Sequence, residues 1–197
     1  MISTFTAFFD ANVFYGARLR SLVVELAQTG LFRARWSEEI HQEWISNLLK
    51  NRPDLKAVDL EKTRRQMDSA VLDCLVSGYE SLVPCLALPD ADDRHVLAAA
   101  ILGKASVIVT FNVADFPDKE LSKYGIHVRH ADDFLLDVES VDSESFIEAV
   151  SRDLHHYKDP PLSVDDYISS LERAGLPKAA VFLRARKVML EASIDDC

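Results

Sequence analysis

Asp90-Ala91-Asp92-Asp93-Arg94-His95-Val96-Leu97-Ala98-Ala99-Ala100, closed by Gly103 and followed directly by Ser106-Val107-Ile108-Val109-Thr110, decides the fold class. The acidic lead opens an Ala-rich helix, and Gly103 is a suitable stop. Ser106–Thr110 is short, apolar and β-branched, the pattern of a buried strand. Outward from this pair the same alternation continues. Residues 4–9, with Phe5-Thr6-Ala7-Phe8-Phe9, read as a buried strand ended by Asp10-Ala11-Asn12. A helix is expected over about 17–29, stopped by Gly30, then a short strand over Leu31–Trp36. Ser37 is a good N-cap for the next helix, with Glu38 and Glu39 in the first turn where the helix dipole favours negative charge. That helix should run to about Leu49, before Asn51-Arg52-Pro53, and another should span 59–77 and end at Gly78.

Ser81–Leu88 resembles a strand interrupted by Pro84, which belongs at a sheet edge or splits it. Pro117–Lys123 reads as a short helix stopped by Gly125, Ile126–Val128 as a last strand, and Asp132–Asp137 as helical. Strands alternating with helices predict an α/β fold: a mainly parallel central sheet flanked by helices in three layers. After about residue 139 the pattern changes. Residues 142–157 form a candidate helix with Phe146, Ile147, Val150 and Leu154 on one side, broken by Asp159-Pro160-Pro161. A second starts at Ser163-Val164-Asp165-Asp166 and stops at Gly175. Pro177 opens a third through about Leu190. The expected division is a body over 1–139 and an all-helical C-terminal extension over 140–197, whose three amphipathic helices need cover from the body, a second protomer in a homodimer, or a partner.

Of the 197 residues, 48% are hydrophobic and Gly and Pro are sparse, which argues against disorder. Cys74, Cys85 and Cys197 are odd in number and lack metal-type spacing, so free thiols are expected rather than a disulfide frame. Met1-Ile2-Ser3-Thr4 has no basic region, and no stretch is long enough to span a membrane; a soluble cytoplasmic protein is expected. The formal net charge of −10 argues against broad, non-specific nucleic-acid binding and suits a basic protein partner.

Four acids stand on four segments that an open α/β sheet brings to one crevice, where strand C-termini and helix N-termini meet. Asp10 ends the first strand, Glu43 rides the helix opened by Ser37, Asp93 leads the Ala-rich helix, and Asp115 follows Thr110 by five residues. Carboxylates gathered there raise each other's pKa and call for a cation. Hard oxygen donors without a His or Cys cluster suit Mg²⁺ or Mn²⁺. Each acid also has a bland reading. Asp10 could hold a turn, Glu43 could be a solvated helix residue, and Asp92 or Asp93 could each cap a helix. Asp93 is preferred because Val96 and Leu97 follow at helical spacing and turn it inward. Asp90 serves as a supporting or outer ligand, and Glu38 and Glu39 as dipole partners. His41, His95, His127, His130, His155 and His156 lack zinc-like spacing. Ser and Cys nucleophiles lack an evident base, and no glycine-rich phosphate loop appears.

The segments Phe9–Val13, Ser37–Glu43, Asp90–Ala100 and Val109–Pro117, in this order, closely resemble the PIN-domain family, especially the bacterial VapC-like toxins of toxin–antitoxin pairs. The resemblance covers roughly residues 5–137, and the tail from about 140 looks like the helical extension of one subgroup. It implies a PIN-like fold, with Asp10, Glu43, Asp93 and Asp115 as catalytic and metal-binding residues and Asn12, Asp90, Asp92, Thr110 and Asn112 in support. Many PIN domains carry an Asp two residues after the Thr. Here that place is Asn112, so Asp115 is expected to supply the charge while Asn112 or Thr110 orients it.

The resemblance further implies a metal-dependent endoribonuclease with an RNA substrate and a cognate antitoxin protein, hydrolysing phosphodiesters to 5′-phosphate and 3′-hydroxyl ends. A haloacid-dehalogenase-type phosphatase would need an acid two residues after Asp10, where Asn12 stands. A catalytically silent PIN scaffold acting as a protein- or RNA-binding module is the alternative from another class, but all four acids are present.

Overall fold

The computed structural model describes residues 5–158 and 160–195, with side chains through residue 192. Met1–Thr4, including the start of the first expected strand at Thr4, Asp159 of the expected helix breaker, and Cys197 lie outside the described residues. The fold divides into two compact units. One comprises the chain through Tyr15 together with Phe32–His130; the other comprises Gly16–Leu31 together with the chain from Ala131 onward.

The first unit is built on five strands, β1 (Phe5–Phe9), β2 (Phe32–Ser37), β3 (Leu75–Val76), β4 (Val107–Thr110) and β5 (His127–His130), in the order β3-β2-β1-β4-β5. Every pairing is parallel. A parallel sheet covered on both faces needs continuous apolar strands at its centre. Ala7, Phe8 and Phe9 of β1 are buried, as is all of β4, while the edge strand β5 alternates His127, Val128, Arg129 and His130 and is only partly covered. From β1 the chain moves one way to β2 and β3, then crosses back to β4 on the other side. The reversal falls between β1 and β4, where strand C-termini open a crevice. The Asp10 N–H continues the ladder to the Val109 carbonyl at 3.0 Å, which fixes the chain's exit from β1.

Helix α1 (Ala11–Tyr15) follows β1 immediately, a short element that the strand-then-turn expectation did not include. Helix α3 (Glu38–Asn51) is capped by Ser37, whose side chain accepts from the Ile40 N–H, as its sequence predicts. It buries Ile40, His41, Trp44 and Leu48. Helix α5 (Arg94–Leu102) packs on β1, β2 and β4 with His95 through Ala100 buried. Its end passes close to β3: a Cβ on Gly103 would stand 3.0 Å from both the Ala99 carbonyl oxygen and a Val76 methyl, so only glycine fits without displacement. The short helix expected over Pro117–Lys123 is α6 (Asp118–Leu121), and Gly125 turns the chain into β5 at φ 67°.

Two expectations for this unit are corrected. The helix expected over 59–77 is α4 (Ala57–Ala70). The chain leaves the helix at Val71 and takes a positive φ of 57° at Asp73. Leu75 and Val76 then pair with Trp36 and Ser37, extending the sheet at a cost in helical hydrogen bonds. The strand expected within Ser81–Leu88 is instead a single 3₁₀ turn over Val83–Cys85. Pro84 lies in its first turn, where a missing N–H costs nothing.

The second unit is helical. It contains α2 (Ala17–Gln28), α7 (Ala131–Val141), α8 (Ser143–His155), α9 (Val164–Arg173), α10 (Pro177–Ala185) and α11 (Lys187–Asp195). Helix α2 packs on α8 and α9, α10 on α7 and α9, and α11 on α8 and α9. The single helix expected over Pro177–Leu190 is two, broken at Arg186, so 142–190 holds four helices rather than three. At the break the Arg186 guanidinium lies 3.7 Å from the Phe182 ring centroid.

Buried carboxylates tie this unit together. Asp132 accepts from the Lys178 and Ala179 N–H groups at 2.8 and 2.9 Å, satisfying orphan donors at the start of α10. Asp153 is fully buried; it accepts from the Tyr167 hydroxyl at 2.6 Å and from the Ser21 hydroxyl of α2. Ser21 therefore ties a helix from early in the sequence to the C-terminal ones.

Candidate active site

Asp10 accepts three hydrogen bonds at the C-terminal end of β1, and the residue is 6% exposed. Oδ1 accepts from the Ala11 N–H at 2.6 Å, and Oδ2 accepts from Asn12 Nδ2 at 2.6 Å and from the Thr110 hydroxyl at 2.6 Å. Thr110 in turn accepts from Asn12 Nδ2 at 2.8 Å and from the Asn112 N–H at 3.0 Å, while Asn12 Oδ1 accepts from the Phe111 N–H at 3.0 Å. The adjacent strands β1 and β4 thus clamp one carboxylate between their ends. Burial pushes the Asp10 pKa up, the Thr110 and Ala11 donors oppose that, and the Glu43 charge adds to it.

Asp93 occupies the N-cap position of α5, yet its side chain makes no capping hydrogen bond. The carboxyl is therefore not consumed by the helix. Burial first, then the charges of Asp10, Asp115 and Asp90, push its pKa up to about 6. Asp115 ends the 3₁₀ turn Val113–Asp115 beyond β4, where its N–H donates to the Asn112 carbonyl at 3.1 Å. Glu43 lies on α3, with a side chain 37% exposed. Glu43 acts electrostatically on Asp10, and Asp10 and Asp115 act on Asp93, which links acids from four separate segments.

The supporting residues divide. Asn12 and Thr110 hold Asp10. Asn112 is exposed and reaches the cluster through its backbone N–H to Thr110. Asp90 Oδ1 accepts from the Asp92 N–H at 2.9 Å, shaping the turn before α5, and its charge acts on Asp93. Asp92 itself is exposed.

Sequence reasoning set His95 aside with the other histidines, and the structure puts it beside the acids. The imidazole side chain is 7% exposed, and Nε2 lies 2.9 Å from Glu43 Oε1. Burial would lower its pKa, but the hydrogen bond and charge of Glu43, with the charges of Glu39 and Asp10, outweigh burial and raise it. Glu39, expected to serve the helix dipole, also accepts from the Tyr79 hydroxyl at 3.2 Å. A usable signal was present in the sequence: Glu39 and Glu43 are four apart on one helix face, which a nearby cation would bridge. His41, by contrast, is a core residue. It accepts from Trp44 Nε1 at 3.0 Å and pairs with Asp68 at 2.9 Å, and burial depresses its pKa.

The donor set suits a hard divalent cation: carboxylate oxygens, two of them with raised proton affinity, and no thiolate. Among the described residues, no three His, Cys, Asp or Glu side chains stand close enough to ligate one ion as placed.

A family model described as the PIN domain matches residues 6–114, more than half of the chain. The chain belongs to the PIN-domain family. The match includes Asp10, Glu43, Asp93 and Thr110 and ends one residue before Asp115. A second model, described as the VapC50 C-terminal domain, matches residues 131–185. The PIN-domain chain is also 38% identical over 94 residues to the "Putative ribonuclease VapC50" of Mycobacterium tuberculosis (strain ATCC 25618 / H37Rv). That alignment covers 48% of this chain and 55% of the mycobacterial one, about half of each. No solved structure matches significantly. No helix among the described residues is long and apolar enough to cross a membrane.

Proposed function

We propose that this PIN-domain protein is a divalent-metal-dependent endoribonuclease, the toxin of a type II toxin–antitoxin pair. The observation that supports this most is the gathering of acids from four segments at the sheet's reversal point: Glu43 acts on Asp10, and the charges of Asp10, Asp115 and Asp90 add to the burial that pushes Asp93 up to about 6. A carboxylate that holds its proton this tightly is one whose surroundings call for positive charge. Asp10, Glu43, Asp93 and Asp115 would hold Mg²⁺ or Mn²⁺. The cation would supply Lewis-acid stabilisation and an activated water for phosphodiester hydrolysis.

The chain's own residues prepare that site. Asn12, Thr110 and the Ala11 N–H fix both oxygens of Asp10 before anything binds, so little reorganisation is left for the reaction. Asp90 shapes the turn that presents Asp93. The same concentration of negative charge suits an antitoxin bearing an Arg or Lys that enters the crevice in place of the metal. The body and its C-terminal helices would divide labour near residue 139, the helices serving partner or RNA recognition or a homodimer contact.

Expression of the chain in a bacterial host tests this reading. Wild-type protein should arrest growth and leave cellular RNA cut to 5′-phosphate and 3′-hydroxyl ends, and Asp10→Asn should do neither. Equal growth of both strains, with no new RNA ends, would remove the toxin reading.

A further inference from the structure

His95 is a buried histidine whose ring stands between two carboxylates of the neighbouring helix. Nε2 stands 2.9 Å from Glu43 Oε1, and Nδ1 stands 3.5 Å from Glu39 Oε2 without a hydrogen bond. Glu39 and Glu43 lie one turn apart on α3, while His95 comes from the first turn of α5, two residues after Asp93. The same Glu39 Oε2 accepts from the Tyr79 hydroxyl at 3.2 Å.

Asp10 has three donors to fix it. Glu43 is a longer side chain, 37% exposed, and His95 Nε2 is the donor that orients it. An unrestrained glutamate loses rotamer freedom on binding an ion; one already hydrogen-bonded loses less. At 7% exposure the imidazole is too deeply covered to meet a substrate from solvent, so any influence it has on the chemistry passes through Glu43. Trp44, next to Glu43 on α3, and Val96, next to His95 on α5, are both fully buried, which anchors each helix in the core.

We propose that His95 is a positioning residue that fixes the Glu43 carboxylate for metal binding, with Glu39 steadying the far side of the ring. This rests on the reading of Glu43 as a metal ligand. Hydrogen-bond partners of metal-binding side chains set ligand orientation and affinity, and His95 does so from a different helix, coupling the Asp93 segment to the Glu43 segment.

The test is Mn²⁺ affinity of the full chain by titration calorimetry, with folding checked by tryptophan fluorescence. His95→Phe keeps a ring and removes the donor; it should weaken Mn²⁺ binding about tenfold or more. His95→Gln, whose amide can donate from nearly the place of Nε2, should recover binding to within about threefold of wild type. Adding His95→Phe to a Glu43→Ala chain should cost less than about twofold more, because the residue it acts through is already gone. If Phe is not tolerated, His95→Asn, too short to reach Glu43, replaces it in each comparison. Unchanged affinity in the donor-less variant, or an equal penalty with and without Glu43, would overturn the proposal. Asp10→Asn separates the two ideas. If it abolishes Mn²⁺ binding while His95→Phe does nothing, only the His95 role falls; if it binds as wild type does, the acidic metal site falls with it.

Discussion

Replacing Asp93 with Asn in the metal-free protein should make it more stable, and only above a defined pH. The folded protein raises this carboxyl from 3.8 to about 6, through burial and the charges of Asp10, Asp115 and Asp90. At face value such a shift disfavours folding by about 3 kcal/mol once the group is ionised. The carboxyl is only half-buried, so solvent screening reduces this to about 1–1.5 kcal/mol. The sign follows from linkage. Below the unfolded pKa both states carry the proton and the penalty is absent; it grows as pH rises from about 4 toward 6 and is complete above that. An amide has the same shape and no charge, so Asp93→Asn should match wild type near pH 4 and exceed it by about 1–1.5 kcal/mol at pH 7.5. Urea unfolding in EDTA measures this, followed by tryptophan fluorescence, since both tryptophans, Trp36 and Trp44, lie buried in the unit that holds Asp93. Equal or lower stability of Asp93→Asn at pH 7.5, or a difference that does not change with pH, would refute the electrostatic reasoning.

Other outcomes follow from the same contacts. Mn²⁺ affinity should fall as pH is lowered from 7.5 toward 5, because protons compete at Asp93 and Asp10, both shifted upward; pH-independent affinity in calorimetry would contradict this. Thr110→Val keeps the shape of a fully buried residue but removes the donor to Asp10 and the acceptor for Asn12 and Asn112. It should cost about 1–3 kcal/mol by urea titration and weaken Mn²⁺ binding about tenfold or more. In the helical unit, Asp132→Ala uncovers two N–H groups at the start of α10 and should cost about 1–2 kcal/mol, read as a lower calorimetric melting temperature with Mn²⁺ affinity unchanged.

How far the sequence could be read depended on whether an element's reason was local. The buried strands β1 and β4, the Ser37 cap and the helix running into Gly103 are each specified by their own residues, and the structure has them where expected. β3 is not local: Leu75 and Val76 leave a helical apolar pattern because the exposed edge of β2 offers backbone partners. The break at Arg186 and the short α1 likewise left no clear mark in composition or periodicity. The grouping of α2 with the C-terminal helices depends on contacts such as Ser21 with Asp153, which no window along the chain can show.

In the candidate site Asp10 and Asp93 were legible because one ends a strand and the other leads a helix, places where a charged residue is conspicuous; Glu43, within α3, and Asp115, beyond β4, took their meaning from those two. His95 was not legible, since it sits within the apolar helix its own sequence predicts and takes its meaning from α3. Asn12 and Thr110 appeared as supporting residues, but their joint hold on a single carboxylate became visible only once β1 and β4 were neighbours.

The central claim is that Asp10, Glu43, Asp93 and Asp115 form a metal-dependent RNA-cleaving centre. Its most direct test is hydrolysis of a fluorophore–quencher RNA library by purified wild-type protein with Mg²⁺ or Mn²⁺, beside the same protein in EDTA and beside folded Asp10→Asn. The account predicts cleavage only by wild type with metal, yielding 5′-phosphate ends. Cleavage by a pure Asp10→Asn sample at the wild-type rate, or by wild type undiminished in EDTA, would contradict it.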